Sequence, residues 1–484
     1  MTSTIIYSII VIAANTAIYY TTIFFLICQE EGVKMNKKTE LLGSAPIPKA
    51  LLAMGIPTMI GMLINALYNL VDAYFVGGLG ESQMGAISVV FPLGQLIVGL
   101  GLLFGNGSGS YISRLLGRGD KETANKAAST ALYSGLTVGA VFILCSVIFL
   151  KPILSLLGAS ESILPFALEY SRIYVISCVL NVFNVSVSSI ITSEGAAKTS
   201  MLALLLGAIL NCGLDPLFIY AFDFGISGAA IATAVSQAAS AVVYLFYIFG
   251  KKSNFSFRLN DYYFSKEIFS EIFKIGIPVF VFQMLTSVSI TLTNNAIKPY
   301  GDPAIAGMGA VTRLVLMGSL TVFGFIKGFQ PIAGFSFGAK KFDRLRNSIK
   351  ISVLWSTIFC VIVGTLFIVF PSQIISKFTK DDPQMIEIGA KALRANGISF
   401  MFFGFHTVYS SLFLALGKGR EGFILGASRQ GICFIPLIFI LPMIMKIDGI
   451  LYAQPIADML AVILTISMAV PLHKKINEME KSMT

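Results

Sequence analysis

The feature that most constrains this chain is a succession of long apolar runs. An α-helix needs roughly 20 apolar residues to cross a bilayer, and an open strand edge cannot be satisfied inside lipid. The sequence therefore predicts an all-α integral membrane protein with twelve transmembrane helices. The runs lie at 46–77, 84–112, 123–150, 163–193, 197–222, 226–249, 268–298, 303–336, 347–370, 384–415, 420–444 and 449–471.

The distribution of charge agrees with a membrane protein. Charged residues make up 12% of the chain, about half of the fraction that soluble domains carry. With twelve spans, most Lys and Arg side chains fall in the loops of one side, which the positive-inside rule assigns to the cytoplasm. We therefore expect both ends of the twelve-helix unit to be cytoplasmic, in the cytoplasmic membrane of a bacterium. The net charge of +10 is scattered over short loops, so lipid is an expected partner and nucleic acid is not.

A further apolar run, 4–28, does not fit this topology because it would place the first residue outside the cell. The stretch "QEEGVK" before "MNKKTELLGSAP" looks like a translated ribosome-binding site ahead of a start codon. We expect Met35 to be the true start and 1–34 to be a doubtful extension. A thirteenth helix is the alternative.

The two halves of the unit share one gapless offset of 221 residues, which aligns Gly55–Pro57 with Gly276–Pro278 and Gly107 with Gly328. Each half holds six runs, so equivalent residues have the same orientation and the halves are parallel repeats. Aromatic residues in the basic connector, Phe255, Phe257 and Tyr262, suggest an interfacial helix there. The predicted division is an N-lobe at 35–249, a cytoplasmic linker at 250–266, and a C-lobe with a short cytoplasmic tail at 267–484.

One carboxylate stands inside the first run, in "LYNLVDAYFVGGLG". Asp72 is the only charged residue between Lys49 and Glu81, and placing it at mid-bilayer costs roughly 2.5–3.5 kcal/mol. Asn65 and Asn69 share its helix face at spacings of four and seven residues. An acid kept at that cost indicates function, and the two amides form a supporting polar face.

A second acid stands in the fifth run, in "LNCGLDPLFIY". Asn211 and Asp215 are one helical turn apart, Pro216 opens the local hydrogen-bond ladder, and Thr233 follows in the sixth run. Two carboxylates, amides and a hydroxyl supply hard oxygen ligands for Na⁺, and a buried carboxylate can also exchange protons. The sequence thus predicts a coupling site for Na⁺ or H⁺, with no other metal or cofactor. A purely structural pair of acids is the alternative.

The second half departs from this pattern. Thr293 stands at the position equivalent to Asp72, and Pro436 at the position equivalent to Asp215. That half instead carries Arg313 and Lys327 in the eighth run, which we expect either to line a cavity or to reach toward the interface. No HExxH or paired-His motif is present in the sequence, so an enzyme is not expected.

The segments "GIPTMIGMLINALYNLVDAYFVGGLG", "LNCGLDPLFIY" and "GFQPIAGFSFGAKKFDRLR" resemble the multidrug and toxic compound extrusion (MATE) family, in particular its MepA-like bacterial branch. The resemblance covers about 41–475. It implies a cation-coupled antiporter of two six-helix lobes, monomeric, that exports cationic amphipathic drugs by alternating access. A lipid-linked oligosaccharide flippase of the same superfamily is the alternative, because Arg313 and Lys327 would suit an anionic headgroup.

The resemblance also assigns residues. The family's N-lobe cation site matches Asp72, Asn211, Asp215 and Thr233 in this sequence. Another branch of the family uses a glutamate in helix seven, and the polar residue at that part of this chain is Gln283, a candidate for lining a C-lobe cavity. The resemblance therefore implies that coupling rests on the N-lobe.

Overall fold

The structure is a computed structural model that describes residues 35–250, 252–378 and 382–482. The predicted extension 1–34 lies outside the described residues. Within the described ranges, twelve helices are long and apolar enough to cross a membrane, and no strand is present. The all-α prediction with twelve spans is therefore confirmed. The spans are α1 Ile47–Gly77, α2 Glu81–Arg118, α3 Lys121–Ile148, α4 Leu164–Ser193, α5 Ala197–Ala221, α6 Gly225–Phe249, α7 Lys266–Tyr300, α8 Asp302–Gly338, α9 Phe342–Val369, α10 Pro383–Ala415, α11 Gly419–Met445 and α12 Ile447–Lys481.

Helix ends follow the capping rules. Asp120 caps α3 by accepting a hydrogen bond from the Thr123 backbone N–H at 3.0 Å, and Asp382 caps α10 in the same way. Gly119 ends α2 with a φ of +81°, a left-handed conformation that favours glycine. Short helices precede or connect the spans at Met35–Gly43, Leu150–Leu156 and Pro371–Ile375.

Helix packing repeats between the lobes. In the N-lobe α1 packs on α5, α2 on α3 and α4, and α6 on α4 and α5. In the C-lobe the equivalent pairs are α7 with α11, α8 with α9 and α10, and α12 with α10 and α11. Between the lobes, α1 contacts α8, α7 contacts α2, and α2 crosses α8 at the centre. This is the twofold arrangement that the internal repeat predicts.

The lobes are joined at one end of the bundle, where α2 and α8 finish and the loops carry Arg118 and Lys341; we call it the basic end. Two hydrophobic cores there combine both lobes, the first including Leu51 and Phe329 and the second Leu103 and Ile272. Two further cores each draw on one lobe only, over residues 76–230 and 297–457. The lobes therefore separate toward the end away from the basic end.

Glycines allow the closest contact between the lobes. A Cβ on Gly117 of α2 would lie 2.2 Å from the Phe335 carbonyl oxygen, and a Cβ on Gly338 of α8 would lie 2.0 Å from the Arg114 carbonyl oxygen. The Arg114 side chain also forms an ion pair with Glu271 of α7 at 2.7 Å. Small residues and one ion pair thus hold the basic end closed.

The connector between α6 and α7 packs against the N-lobe. Phe255 and Phe257 are buried in the core that contains Leu103, mostly among residues of that lobe. Asn125 accepts a hydrogen bond from the Ser256 N–H at 2.8 Å, and the Tyr133 hydroxyl donates to the Phe257 carbonyl at 2.9 Å. The expectation of an interfacial helix is wrong: over residues 252–265, the described part of the connector before α7, the only helical turn is a short 3₁₀ turn at Leu259–Asp261. Phe257 has a φ of +48°, which a right-handed helix does not accommodate.

A buried acid anchors the start of this connector. Glu194, in the α4–α5 loop, is fully buried; it accepts hydrogen bonds from the Asn254 N–H at 2.6 Å and the Tyr247 hydroxyl at 2.5 Å. Lys38 of the helix Met35–Gly43 lies 3.8 Å from the same carboxylate and donates to the Lys252 carbonyl. Burial raises the pKa of Glu194, although the Lys38 ammonium opposes the shift. The connector thus belongs structurally to the N-lobe.

Candidate cation and substrate site

Two parallel helices of the N-lobe carry the two predicted coupling acids. Near the middle of α1, a Cβ on Gly61 would lie 3.1 Å from Leu204 of α5. At the end of α1, a Cβ on Gly78 would lie 2.4 Å from the Tyr220 hydroxyl, which donates to the Phe75 carbonyl at 2.5 Å. The two helices therefore advance in one register toward the end away from the basic end.

This register places the predicted residues at matching heights. Asp72 of α1 lies level with Asp215 of α5, and Asn69 lies level with Asn211. The packing of α1 on α5 in this register places the two carboxylates on neighbouring helices at the same depth. The Asn211 amide donates to Asp215 Oδ1 at 3.2 Å, and the Asn69 amide donates to the Asn65 carbonyl at 2.6 Å. Asn211 therefore contacts an acid directly, whereas the Asn69 amide bonds the backbone of its own helix.

Thr233 lies on α6, opposite the same part of α5. Along the α5–α6 contact, a Cβ on Gly207 would approach Ser236 and a Cβ on Gly228 would approach Phe218. Thr233 lies between these two contacts on α6, where α5 carries its amide and acid. Directly after Asp215 and Pro216, α5 continues as a π-turn at Leu217–Ala221, a local irregularity that is frequent at functional sites.

Three oxygens of this cluster are buried without a hydrogen-bond partner: Asp72 Oδ1, Asn211 Oδ1 and Asp215 Oδ2. Neither acid takes part in the ion pairs found between described residues. Buried acceptors of this kind need a proton, a cation or water, because leaving them desolvated is costly. No group of three or more His, Cys, Asp or Glu side chains in the described part of the chain could hold a metal. A bound Na⁺ would therefore need amide, hydroxyl or water ligands besides the two carboxylates.

Tyrosines lie near the first acid. Tyr68 comes one helical turn before Asp72 on α1. Tyr170 and Tyr174 of α4 belong to the same hydrophobic core as Val76, one turn after Asp72, and their rings stack with centroids 5.3 Å apart. Aromatic faces beside a carboxylate attract organic cations. Sequence inspection missed these rings, since tyrosines in an apolar helix look like ordinary core residues.

The C-lobe holds its own buried polar cluster, which sequence inspection also missed. Arg429 of α11 donates to Asp458 of α12 at 2.8 Å, and Gln454 donates to the same oxygen at 2.6 Å. The Ser399 hydroxyl donates to the other carboxylate oxygen at 3.4 Å, and the Arg429 guanidinium lies over the Phe403 ring. A signal was present, because Arg429 is the only charged residue between Glu421 and Lys446.

The three candidates for a C-lobe cavity do not come together. Lys327 lines a small cavity between α2, α4 and α8, with its ammonium 3.2 Å from the Ser188 hydroxyl. Arg313 is exposed and lies 14 residues earlier on α8, which is about 21 Å along the helix. Gln283, partly buried on α7, does not line that cavity either. Arg313 and Lys327 therefore do not form the joint cationic cleft that a pyrophosphate headgroup would need.

Comparisons with known proteins agree with this architecture. The MatE family model matches 57–217 and 278–440, and the two matches begin at Pro57 and Pro278, which the internal repeat aligns. Multidrug export protein MepA of Staphylococcus saprophyticus is 32% identical over 85% of this chain and 90% of its own length. MepA of Staphylococcus aureus is 31% identical over 86% and 92%. A solved multidrug resistance MATE family transporter in an outward-facing conformation has a TM-score of 0.85 and 27% identity, over 92% of this chain and 99% of its own.

Proposed function

The chain belongs to the MATE family of multidrug efflux transporters, and from that premise we propose that it is an antiporter exporting cationic amphiphiles in exchange for Na⁺ or H⁺. It is a multi-pass membrane transporter and not an enzyme. The observation that carries the proposal is the pair of N-lobe acids, Asp72 and Asp215, which have no basic partner among the described residues. A carboxylate without a fixed counter-charge can exchange one cation for another.

In the proposed cycle, the coupling ion occupies the oxygens of Asp72, Asp215 and Asn211, with Thr233 opposite. Binding of a cationic substrate beside Asp72 competes with that ion because both use the same negative charge. Whichever ligand is bound then determines which arrangement of the N-lobe is favoured. An inward cation gradient would thereby drive outward movement of drug.

The proposed substrate is an organic cation with aromatic or apolar surface. Aromatic rings for such a cation are available one turn before Asp72, at Tyr68, and in the core that Tyr170 and Tyr174 share with Val76. The chain also holds 18 Met and 39 Phe residues, and such adaptable apolar side chains accept ligands of different shapes. The arrangement disfavours an anionic lipid headgroup in the N-lobe.

The proposed orientation places the basic end in the cytoplasm of a bacterium. The described state is then closed toward the cytoplasm, and the gap between the lobes opens outward. Opening inward would break the Arg114–Glu271 ion pair and separate Gly117 from Phe335. Alternating access thus requires the lobes to part at the contacts that now join them.

The test uses inverted membrane vesicles, in which export appears as uptake. A fluorescent cationic dye is added outside, with either Na⁺ or H⁺ concentrated inside. We expect one gradient to drive dye uptake, and the ion that does so is the coupling ion. A protein inserted in the membrane that accumulates no dye under either gradient would reject cation-coupled export.

Asp72→Asn keeps the shape of the side chain and removes its charge. Gradient-driven uptake should fall to the level of vesicles without the protein, while the amount of folded protein is unchanged. The matched control is Thr293→Asn, which places the same amide at the equivalent position of the C-lobe and should transport normally. Normal transport by well-folded Asp72→Asn would remove Asp72 from the mechanism.

A further inference from the structure

A small cavity lies where the two lobes meet, away from the coupling acids. Its volume is about 20 Å³, and it lies between α2 and α4 of the N-lobe and α8 of the C-lobe. Asn106 and Ser189 line the N-lobe side, and Lys327 and Gln330 line the C-lobe side. A single water needs about 10–15 Å³ on this scale, so the cavity has room for one small guest.

The cavity contains a positive charge that lacks a negative partner. Lys327 makes one hydrogen bond, to the Ser188 hydroxyl at 3.2 Å, and it takes part in none of the ion pairs found between described residues. An ammonium has three N–H donors, so two remain for a guest. Elsewhere in the described interior, the cation of Arg429 has a carboxylate within 2.8 Å.

A second, independent group faces the cavity without a partner. The Ser189 side chain is 5% exposed, and its hydroxyl has no hydrogen-bond partner. Neighbouring hydroxyls differ, because Ser113 and Thr192 donate to carbonyls of their own helices at 2.8 and 2.6 Å. The unused groups at the cavity are therefore rich in hydrogen-bond donors and carry net positive charge.

We propose that this cavity binds one small monovalent anion of about the size of chloride. The anion accepts hydrogen bonds from the Lys327 ammonium and the Ser189 hydroxyl, with the amide N–H groups of Asn106 and Gln330 in support. A buried cation is stabilised by such a counter-ion. The cavity is too small for pyrophosphate or a phospholipid headgroup. This site is independent of the proposed coupling ion.

The anion accepts hydrogen bonds from residues of both lobes, so it bridges the lobes at their interface. It stabilises the state in which the basic end is closed, because parting the lobes separates Lys327 from Ser189. Chloride should therefore stabilise the described state by mass action.

The test measures thermal unfolding of the purified full-length protein in detergent. Sodium gluconate is replaced stepwise by sodium chloride or sodium bromide at constant ionic strength, which keeps screening fixed. Both halides should raise Tm saturably, by roughly 1–3 °C. Lys327→Met should abolish the rise, whereas Lys151→Met, at an exposed position, should retain it.

Ser189→Ala is a second test in case Lys327→Met does not fold. It removes only one small hydroxyl, so it should disturb the fold less. It should keep the wild-type Tm in gluconate and weaken the apparent halide affinity several-fold. Equal Tm values in chloride and gluconate would show that the cavity holds only water and would overturn the proposal. A larger rise in Tm with pyrophosphate than with chloride would also overturn the proposal. Dye uptake by wild-type vesicles is measured in parallel. Normal gradient-driven uptake together with equal Tm values in chloride and gluconate would overturn the anion site and leave the coupling proposal, which concerns Asp72, in place.

Discussion

The two lobes treat a buried carboxylate in opposite ways. In the C-lobe, Asp458 receives hydrogen bonds from Arg429 at 2.8 Å and from Gln454 at 2.6 Å. In the N-lobe, Asp72 and Asp215 each retain a buried oxygen without a partner. A carboxylate held by a guanidinium has a fixed charge balance, whereas one without a counter-charge must find it in a mobile ion or proton. The comparison therefore supports the proposal that exchange takes place in the N-lobe, with the C-lobe pair in a structural role.

The difference arises on the same scaffold. The internal repeat aligns Gln454 with Thr233, so the equivalent position of α12 and α6 contributes to both clusters. The helices α5 and α11 are equivalent, and each contains a π-turn, at Leu217–Ala221 and at Ser428–Ile432. Arg429 lies within its π-turn, and Asp215 comes just before the other. Under the proposed function, residue differences on one helix arrangement separate an exchange site from a structural one.

Other buried polar atoms follow the same division. Among the described residues, ten buried side-chain oxygens without a hydrogen-bond partner lie in the N-lobe and three lie in the C-lobe. Unpaired groups of this kind are usually satisfied by water or ions. The N-lobe interior is thus better suited to hydration than the C-lobe interior.

The largest expected effect comes from breaking the C-lobe pair. Arg429→Met leaves Asp458 buried without its cation, and removing one partner of a buried ion pair typically costs about 3–5 kcal/mol. We expect a large fall in Tm and in the yield of folded protein. Thermal unfolding monitored by size-exclusion chromatography in detergent measures this loss.

The double variant Arg429→Met with Asp458→Asn separates pairing from packing. Because both charges are then absent, most of the lost stability should return, and transport per folded molecule should approach that of the wild type. If Arg429→Met alone is as stable as the wild type, the C-lobe pair does not have the structural role that the comparison assigns to it.

A smaller effect, of opposite sign, is expected in the N-lobe. Asp215→Asn replaces a carboxylate that has no basic partner, so stability should stay within about 1 kcal/mol of the wild type or rise. Coupled transport should be lost, as in Asp72→Asn. If the two acids share one ion, the double variant should transport no worse than either single variant, a strong departure from additivity. Acid variants that lose as much stability as Arg429→Met would contradict the division between the lobes.

Much of this architecture follows from local sequence patterns. Span lengths are set by the thickness of the bilayer, so the predicted run 197–222 matches Ala197–Ala221 and 384–415 matches Pro383–Ala415. Asp72 stands out for a similar reason, because a lone acid in an apolar run violates the local pattern. The position of Asp72 beside Asp215 could not be predicted in this way, because it depends on the packing of α1 on α5, which no local pattern specifies.

The missed elements depend on tertiary contacts. Arg429 and Asp458 are 29 residues apart on different helices, so their pairing follows from how α11 meets α12. In the connector, the side chains of Phe255 and Phe257 point into the core with the period of two that is typical of extended chain. The aromatic composition of the connector suggested a helix at the membrane surface. The period of two between Phe255 and Phe257 would have been the better predictor of its structure.

The smallest predicted effect concerns one pair of contacting residues at the basic end of each lobe. The repeat aligns the N-lobe pair Asn125 and Ser256 with the C-lobe pair Arg346 and Asn477. In the C-lobe the pair joins Arg346 to α12, with a hydrogen bond of 2.8 Å to Asn477. In the N-lobe the pair holds the extended connector against α3, because the Ser256 N–H donates a hydrogen bond to Asn125. Asn125→Ala should therefore weaken docking of the connector by about 1 kcal/mol.

Limited trypsin digestion of inverted vesicles measures that docking, because the connector contains Lys252 and Arg258. Cleavage follows the population of the undocked connector when opening is fast, so a loss of about 1 kcal/mol should speed cutting roughly fivefold. Asn477→Ala is the matched control; it removes the equivalent contact of the C-lobe and should leave connector cleavage unchanged. Equal cleavage rates in Asn125→Ala and the wild type would mean that the contact between Asn125 and Ser256 does not contribute to docking of the connector. Cleavage in right-side-out vesicles instead would place the basic end outside the cell and reverse the proposed orientation.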